Sequence, residues 1–218
     1  MSKGPLIAVV GTGSIGTRHL EVLREMGEGR PIAVPKRPER ISQLEEAGYD
    51  TAADLEEAIN KGANLCIIAT DTSRHVEDGL SAIEHGLNIL VEKPIAPTAS
   101  EARLLSCLAA KAHRRVFVGC VLRFSESLNT FRELLPEVGA LHSVRIECQS
   151  YLPHWRPDRL YLESYSARPR EGGVLLDLIH EIDYAGWLFG WPASVRGRLR
   201  NLGRLGIAAE EAAELAWE

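Results

Sequence analysis

The chain has 218 residues, is 45% hydrophobic and 25% charged, and carries a formal net charge of −5 at pH 7. That length admits one large domain or two small ones, and the composition is that of an ordinary globular protein. With no basic excess to neutralise phosphates the balance argues against a nucleic-acid partner, although basic residues cluster at Lys36, Arg37 and Arg40 and could hold one phosphate; no apolar run is long enough to span a bilayer, and no membrane partner is expected.

Met1-Ser2-Lys3-Gly4-Pro5 leads straight into the first strand, and no signal peptide is read there. The four cysteines, Cys66, Cys107, Cys120 and Cys148, are widely separated and match no zinc spacing, so no metal site is expected. Three of them lie in apolar segments and read as small buried thiols. The compartment expected from this usage is the cytoplasm.

Leu6–Val10 is a short, wholly apolar run, the pattern of a central parallel strand covered on both faces. A glycine-rich turn follows, then a helix to about Met26 with Ile15, Leu20 and Leu23 on one stripe. Pro31–Val34 reads as the second strand, with helical stretches near 38–48 and 53–61. Asn64–Ala69 is another buried strand, followed by a helix over 74–85, a strand over Asn88–Val91, a helix over 98–112 and a strand over 115–119. Strands alternating with helices predict a parallel sheet with right-handed crossovers.

After about residue 121 the pattern changes. Leu141–Tyr151 alternates with period two, placing Val144, Ile146 and Cys148 on one face and Arg145, Glu147 and Gln149 on the other, which suits an antiparallel sheet with one wet face. A Pro- and Trp-containing loop covers 153–170, a helix is expected over about 173–189, and strands near 194–200 and 212–217. The expected organisation is a nucleotide-binding α/β domain over 1–121, a doubly wound Rossmann sheet, and an incomplete α+β domain with an open antiparallel sheet over 122–218.

Gly11-Thr12-Gly13-Ser14-Ile15-Gly16 is a complete G-x-G-x-x-G that directly follows a strand and directly opens a helix. That context makes it a dinucleotide turn: the first glycine allows the tight bend, the second lets backbone approach a pyrophosphate, and the third lets helix and strand pack closely. The helix N-terminus, with the N–H groups of Ser14, Ile15 and Gly16, then offers donors to phosphate. At the end of the second strand an acid would bond the ribose 2′-hydroxyl of NAD. Pro35-Lys36-Arg37 stands there instead, so two cations are placed to suit the 2′-phosphate of NADP, and NADP is favoured over NAD.

Val91-Glu92-Lys93-Pro94 ends a predicted strand at the edge where ligands of open α/β sheets bind. The proline restricts Lys93 to extended backbone, and a lysine held there can hydrogen-bond a substrate oxygen. In Gly172–Asp183, Asp177 and His180 are three apart on one predicted helix and would share a face, with Asp183 continuing the line. A carboxylate beside an imidazole can fix its tautomer and suit it to proton transfer.

These four segments together resemble the Gfo/Idh/MocA oxidoreductases. Gly11–Gly16 looks like the family's dinucleotide turn, and Ala69-Thr70-Asp71-Thr72-Ser73-Arg74-His75 is similar to its loop after the fourth strand. Glu92-Lys93-Pro94 matches its most specific tripeptide, and Gly172-Gly173 through Asp177 and His180 resembles its substrate helix. Here the histidine stands three after the aspartate, whereas the family usually has four, and the chain stops well short of the family's usual length. The resemblance implies hydride transfer between NAD or NADP and a secondary alcohol or ketone of a sugar, cyclitol or nucleotide sugar. It makes His180 a proton carrier, Lys93 the group that polarises the reacting oxygen, and Asp177 the residue that orients His180. Ala69, Thr70, His75 and Glu92 would border the cofactor, and Arg123, Trp155, Arg156 and Tyr165 are candidate substrate contacts. A non-catalytic dinucleotide-binding or assembly protein, or a fragment of a longer gene product, stays open beside this reading. A truncated open sheet would expose edges, so a homo-oligomer (dimer or tetramer) is expected.

Overall fold

The structure, a computed structural model, describes residues 4–157 and 160–218. The first three residues of the expected N-terminal lead-in and two positions in the 153–170 loop lie outside the described residues. The chain divides into two compact units, one ending at Gly119 and one beginning at Cys120.

The first unit alternates strands and helices: β1 (Leu6–Val10), α1 (Ser14–Met26), β2 (Arg30–Val34), α2 (Arg40–Glu46), β3 (Asp50–Thr51), α3 (Leu55–Asn60), β4 (Ala63–Ile68), α4 (His75–Glu84), β5 (Asn88–Val91), α5 (Ala99–Lys111) and β6 (Val116–Val118). The six strands form one parallel sheet in the order β3-β2-β1-β4-β5-β6. The order reverses between β1 and β4, and that switch point opens the crevice where such sheets bind ligands. The two-residue β3 was not expected from the sequence, because a pair of residues carries no periodicity.

Side chains of a strand alternate between faces, and here both faces are covered. Leu6, Ala8 and Val10 pack with Ile32, Val34, Ile68 and, from α4 and α5, Ala82, Ile83 and Leu105. Ile7 and Val9 pack on the other side with Leu20 of α1 and Leu44 of α2. That double burial is why β1 reads as an unbroken apolar run. Helix starts are set locally. Asp54 accepts from the Glu57 N–H while the Glu57 carboxylate accepts from Ala53 N–H, a reciprocal cap opening α3. Thr98 and Glu101 open α5 in similar fashion. On α1 the buried residues are Gly16 and Leu20, while Ile15, expected on the apolar stripe, is exposed.

The second unit holds α6 (Glu126–Val138), α7 (Val174–Asp177), α8 (Ile179–Phe189), β7 (Val195–Arg200) and β8 (Ala212–Trp217), with β7 and β8 forming a two-stranded antiparallel sheet. Helix α6 had not been read from the sequence. The expected strand over 141–151 is corrected: these residues adopt no strand, since a strand exists through its hydrogen-bonded partner and none of the described strands pairs with them. Their alternation still has a consequence, because Val144, Ile146 and Cys148 line one cavity of about 770 Å³ with Leu178, Ile182 and Leu215. The single helix expected over 173–189 is also corrected. It breaks at Leu178 (φ −98°, ψ 29°) into α7 and α8.

Candidate functional site

The glycine turn sits at the C-terminal end of β1, beside the switch point. Gly11 has φ +88°, and a Cβ there would come within 2.6 Å of the Ala69 carbonyl oxygen, so only glycine lets the two strand ends approach. A Cβ on Gly16 would lie 1.8 Å from the Gly11 carbonyl oxygen. Gly13 differs: among the described residues beyond its immediate chain neighbours, nothing lies within 4 Å of its Cβ position. It caps α1 with no side-chain hydrogen bond, and the first turn of that helix carries no acid. Gly11 and Gly16 thus serve the fold, whereas Gly13, Ser14 and Ile15 are exposed backbone at an uncapped helix N-terminus. This arrangement fits a pyrophosphate. Arg40 braces the turn from the β2 side by donating to the Thr12 carbonyl at 2.9 Å.

Beyond β2, Arg37 is exposed, but Lys36 is engaged. Its Nζ lies 2.7 Å from Oδ1 of Asp78 in α4, a residue only 6% exposed. Asp78 also accepts from the Thr70 hydroxyl at 2.8 Å, and Arg74 lies 3.5 Å away. The same carboxylate neighbours Cys66, whose thiol is pushed up to about 12 by burial first and by the Asp78 charge second.

The loop after β4 carries the other expected cofactor residues. Ala69 is buried against the glycine turn and Thr70 is half-buried. His75 is 1% exposed, with Nδ1 at 2.8 Å from the Pro94 carbonyl oxygen and Nε2 at 3.0 Å from that of Thr70. It therefore ties the loop after β4 to the turn after β5. Glu92, at the end of β5, is likewise taken up by the protein. Its Oε1 lies 2.7 Å from His19 Nε2, its Oε2 accepts the Lys93 N–H at 3.2 Å, and a Cβ on Gly119 would touch its carboxylate. Burial pushes this carboxyl up, but the hydrogen bond and charge of His19, with the N–H and charge of Lys93, hold it below the ordinary carboxylate value. Lys93 is half-buried at the same sheet edge and precedes Pro94 through a cis peptide bond.

In the second unit Gly172 and Gly173 are spent on close packing. A Cβ on Gly172 would lie 2.3 Å from Ser166 Cα, and Gly173, with φ +90°, faces the Glu210 carboxylate. Glu210 also accepts from the Leu175 N–H at 3.2 Å, so it closes the start of α7. Asp177 is buried at the end of α7 and His180 is half-buried at the start of α8. The helix breaks between them at Leu178, so they belong to α7 and α8 and not to one continuous helix. Asp183 does not extend that line: it accepts a two-pronged hydrogen bond from Arg123, at 2.9 and 2.7 Å. Arg123, a candidate substrate contact, joins the 121–124 turn to α8 through this pair. Trp155 lines a small cleft of about 50 Å³ with Asp177 and Ser166, while Arg156 and Tyr165 are half-buried in the adjoining loop. Among the described residues no cluster of three or more His, Cys, Asp or Glu could hold a metal ion.

His19 and Asp78 were missed in the sequence. His19 lies beside Leu20 on the inward side of α1, and Asp78 stands four residues after Arg74 on α4; either spacing was a signal, but neither lies in a motif.

A parallel sheet in this order, with an open glycine turn at its switch point, defines a dinucleotide-binding domain of the Rossmann class. The chain belongs to the Gfo/Idh/MocA oxidoreductases: residues 6–120 match the family's NAD-binding Rossmann fold and residues 131–218 its C-terminal domain. The chain is 28% identical over 187 residues to the 2,7-anhydro-N-acetylneuraminate hydratase of Mediterraneibacter gnavus, covering 84% of this chain and 49% of that protein. It is 27% identical over 189 residues to the myo-inositol dehydrogenase Hyg17 of Streptomyces leeuwenhoekii, covering 84% and 55%. The WlbA dehydrogenase of Bordetella pertussis, solved with NADH and UDP-GlcNAcA, shares the fold with a TM-score of 0.83 at 21% identity, over 100% of this chain and 64% of that one. The chain spans about half the length of the curated relatives it matches.

Proposed function

We propose that this chain serves an oxidoreductase that moves a hydride between a nicotinamide dinucleotide and a secondary alcohol or ketone of a sugar, cyclitol or nucleotide sugar. The observation that carries the reading is the sheet edge of the first unit. There the open, uncapped start of α1 and the half-buried Lys93 follow strands of one parallel sheet. The names of an inositol dehydrogenase and of a dehydrogenase solved with NADH and a nucleotide sugar support it.

Bound NAD or NADP would supply the hydride acceptor or donor. Gly13, Ser14 and Ile15 would present backbone N–H groups to its pyrophosphate, with Gly11, Gly16, Ala69 and Thr70 shaping the cradle. Lys93 would donate a hydrogen bond to the reacting oxygen, and its charge would stabilise negative charge developing there. On the second unit, His180 would carry the proton to or from that oxygen and Asp177 would orient it. Trp155, Arg156 and Tyr165 would contact the sugar-like substrate. A homo-oligomer is part of the proposal, because a two-stranded sheet is marginal alone and leaves edges that another copy can cover.

A screen of sugars, cyclitols and nucleotide sugars for a change in nicotinamide absorbance tests the reading. With a substrate in hand, Lys93→Ala and His180→Ala should each lower kcat by about 10²–10⁴ while cofactor affinity is kept. Wild-type turnover in both variants would overturn the assignment.

A further inference from the structure

We infer that Asp78 sets the choice between NAD and NADP by holding the Lys36 ammonium in an internal ion pair; this rests on the dinucleotide reading above. The residues after β2 are where a Rossmann domain meets the ribose 2′-position. An acid there selects the 2′-hydroxyl of NAD, and unpaired cations select the 2′-phosphate of NADP. This chain has no acid at 35–37, and composition alone makes the site look cationic. Tertiary structure changes that balance. Lys36 reaches 42 positions along the chain to Asp78 at 2.7 Å.

Asp78 is well suited to this part. It is 6% exposed, so its charge is weakly screened and it needs partners. Lys36 supplies the shortest contact, the Thr70 hydroxyl a second at 2.8 Å, and Arg74 a more distant one at 3.5 Å. Thr70 follows β4 next to the glycine turn, so one carboxylate joins the segments after β2 and β4, which flank β1 on either side. The Lys36 side chain is 39% exposed, so its ammonium keeps donors for a 2′-phosphate, but the Asp78 carboxylate already offsets its charge, and drawing it away would leave that buried carboxylate short of charge, which is costly. Lys36 therefore adds little to NADP affinity while Asp78 is present. Asp78 is a positioning residue: it acts on cofactor choice through Lys36 and need not touch the cofactor.

The test measures Kd for NADH and NADPH by fluorescence or calorimetry in wild type, Asp78→Asn and the double variant Lys36→Met/Asp78→Asn, with thermal melts as a check on folding. Asp78→Asn releases Lys36 and should shift the affinity ratio toward NADPH by on the order of tenfold, the size of one charge-assisted hydrogen bond. The double variant removes the pair without leaving a buried orphan charge. Its ratio should stay close to that of wild type, within about threefold. Equal weakening of both cofactors in Asp78→Asn, or selective loss of NADPH, would overturn the inference. If Asp78→Asn does not fold, the double variant decides: a selective tenfold loss of NADPH would mean that Lys36 already serves the phosphate in wild type. Wild type binding neither cofactor would instead sink the dinucleotide reading, and this inference with it.

Discussion

His19 on α1 and Glu92 at the end of β5 meet at 2.7 Å, joining the helix that opens at the glycine turn to the strand that delivers Lys93. The pair is largely buried, with side chains 20% and 10% exposed. Glu92 is the more constrained partner, because it also accepts the Lys93 N–H and is confined by Gly119. His19→Ala should cost about 1–3 kcal/mol, the penalty for leaving a buried charged acceptor short of a donor. Since the folded-state pKa of Glu92 is depressed, its contribution is present above the ordinary carboxylate pKa and is lost as pH falls through the folded value. Urea denaturation from pH 7 down to pH 3 should show this acid loss in wild type and a flatter limb in Glu92→Gln. Parallel acid limbs would mean that Glu92 has no such role.

Two glycines of the turn, Gly13 and Gly16, should separate by readout. Gly16→Ala places a methyl 1.8 Å from a backbone oxygen and should destabilise the fold severely. Gly13→Ala meets no atom of the described residues beyond its immediate chain neighbours and keeps an extended backbone, so stability should change by less than about 1 kcal/mol. The same methyl would occupy the approach to a pyrophosphate, and dinucleotide affinity should fall at least about tenfold. Thermal melts with cofactor titration check both. Unchanged affinity in Gly13→Ala would show that nothing approaches that face.

Arg123 should behave as a tether. Its guanidinium donates twice to Asp183 and is partly exposed, so Arg123→Ala should lower stability by about 1 kcal/mol once solvent screening is counted. A double-mutant cycle with Asp183→Asn should show coupling. Additive losses, or a variant with normal stability and a raised KM, would return Arg123 to substrate contact.

The cysteines divide by environment. Cys66 is buried with its thiol pushed up to about 12, so it should resist alkylation in the native protein at pH 8. Cys148 is exposed, but its hydrogen bond to Glu181 pushes its thiol up. Cys107, exposed on α5, should therefore label first. Iodoacetamide treatment read by mass spectrometry checks the order. Labelling of native Cys66 at the rate of Cys107 would contradict it.

What the sequence by itself determined is local or periodic. Apolar runs such as Leu6–Val10 and Asn88–Val91 become strands where they were read, because burial on both faces needs contiguous apolar residues. The turn Gly11–Gly16 is legible because backbone conformation and close approach demand glycine at set spacings. Long-range pairing was not legible. Period-two alternation over 141–151 groups side chains but cannot supply a partner strand, so no strand forms there, and Val144 and Cys148 stay exposed. The spacing of Asp177 and His180 is read on one continuous helix, and the structure breaks that helix at Leu178. Arg123 reads as a substrate contact and Lys36 as a partner of a cofactor phosphate, since a sequence shows charge but not its partner within the fold. Only the tertiary structure decided that Asp183 and Asp78, 60 and 42 positions away, accept their hydrogen bonds. A buried carboxylate is stable only with its counter-charge beside it, and that requirement is met in space, at no fixed separation along the chain.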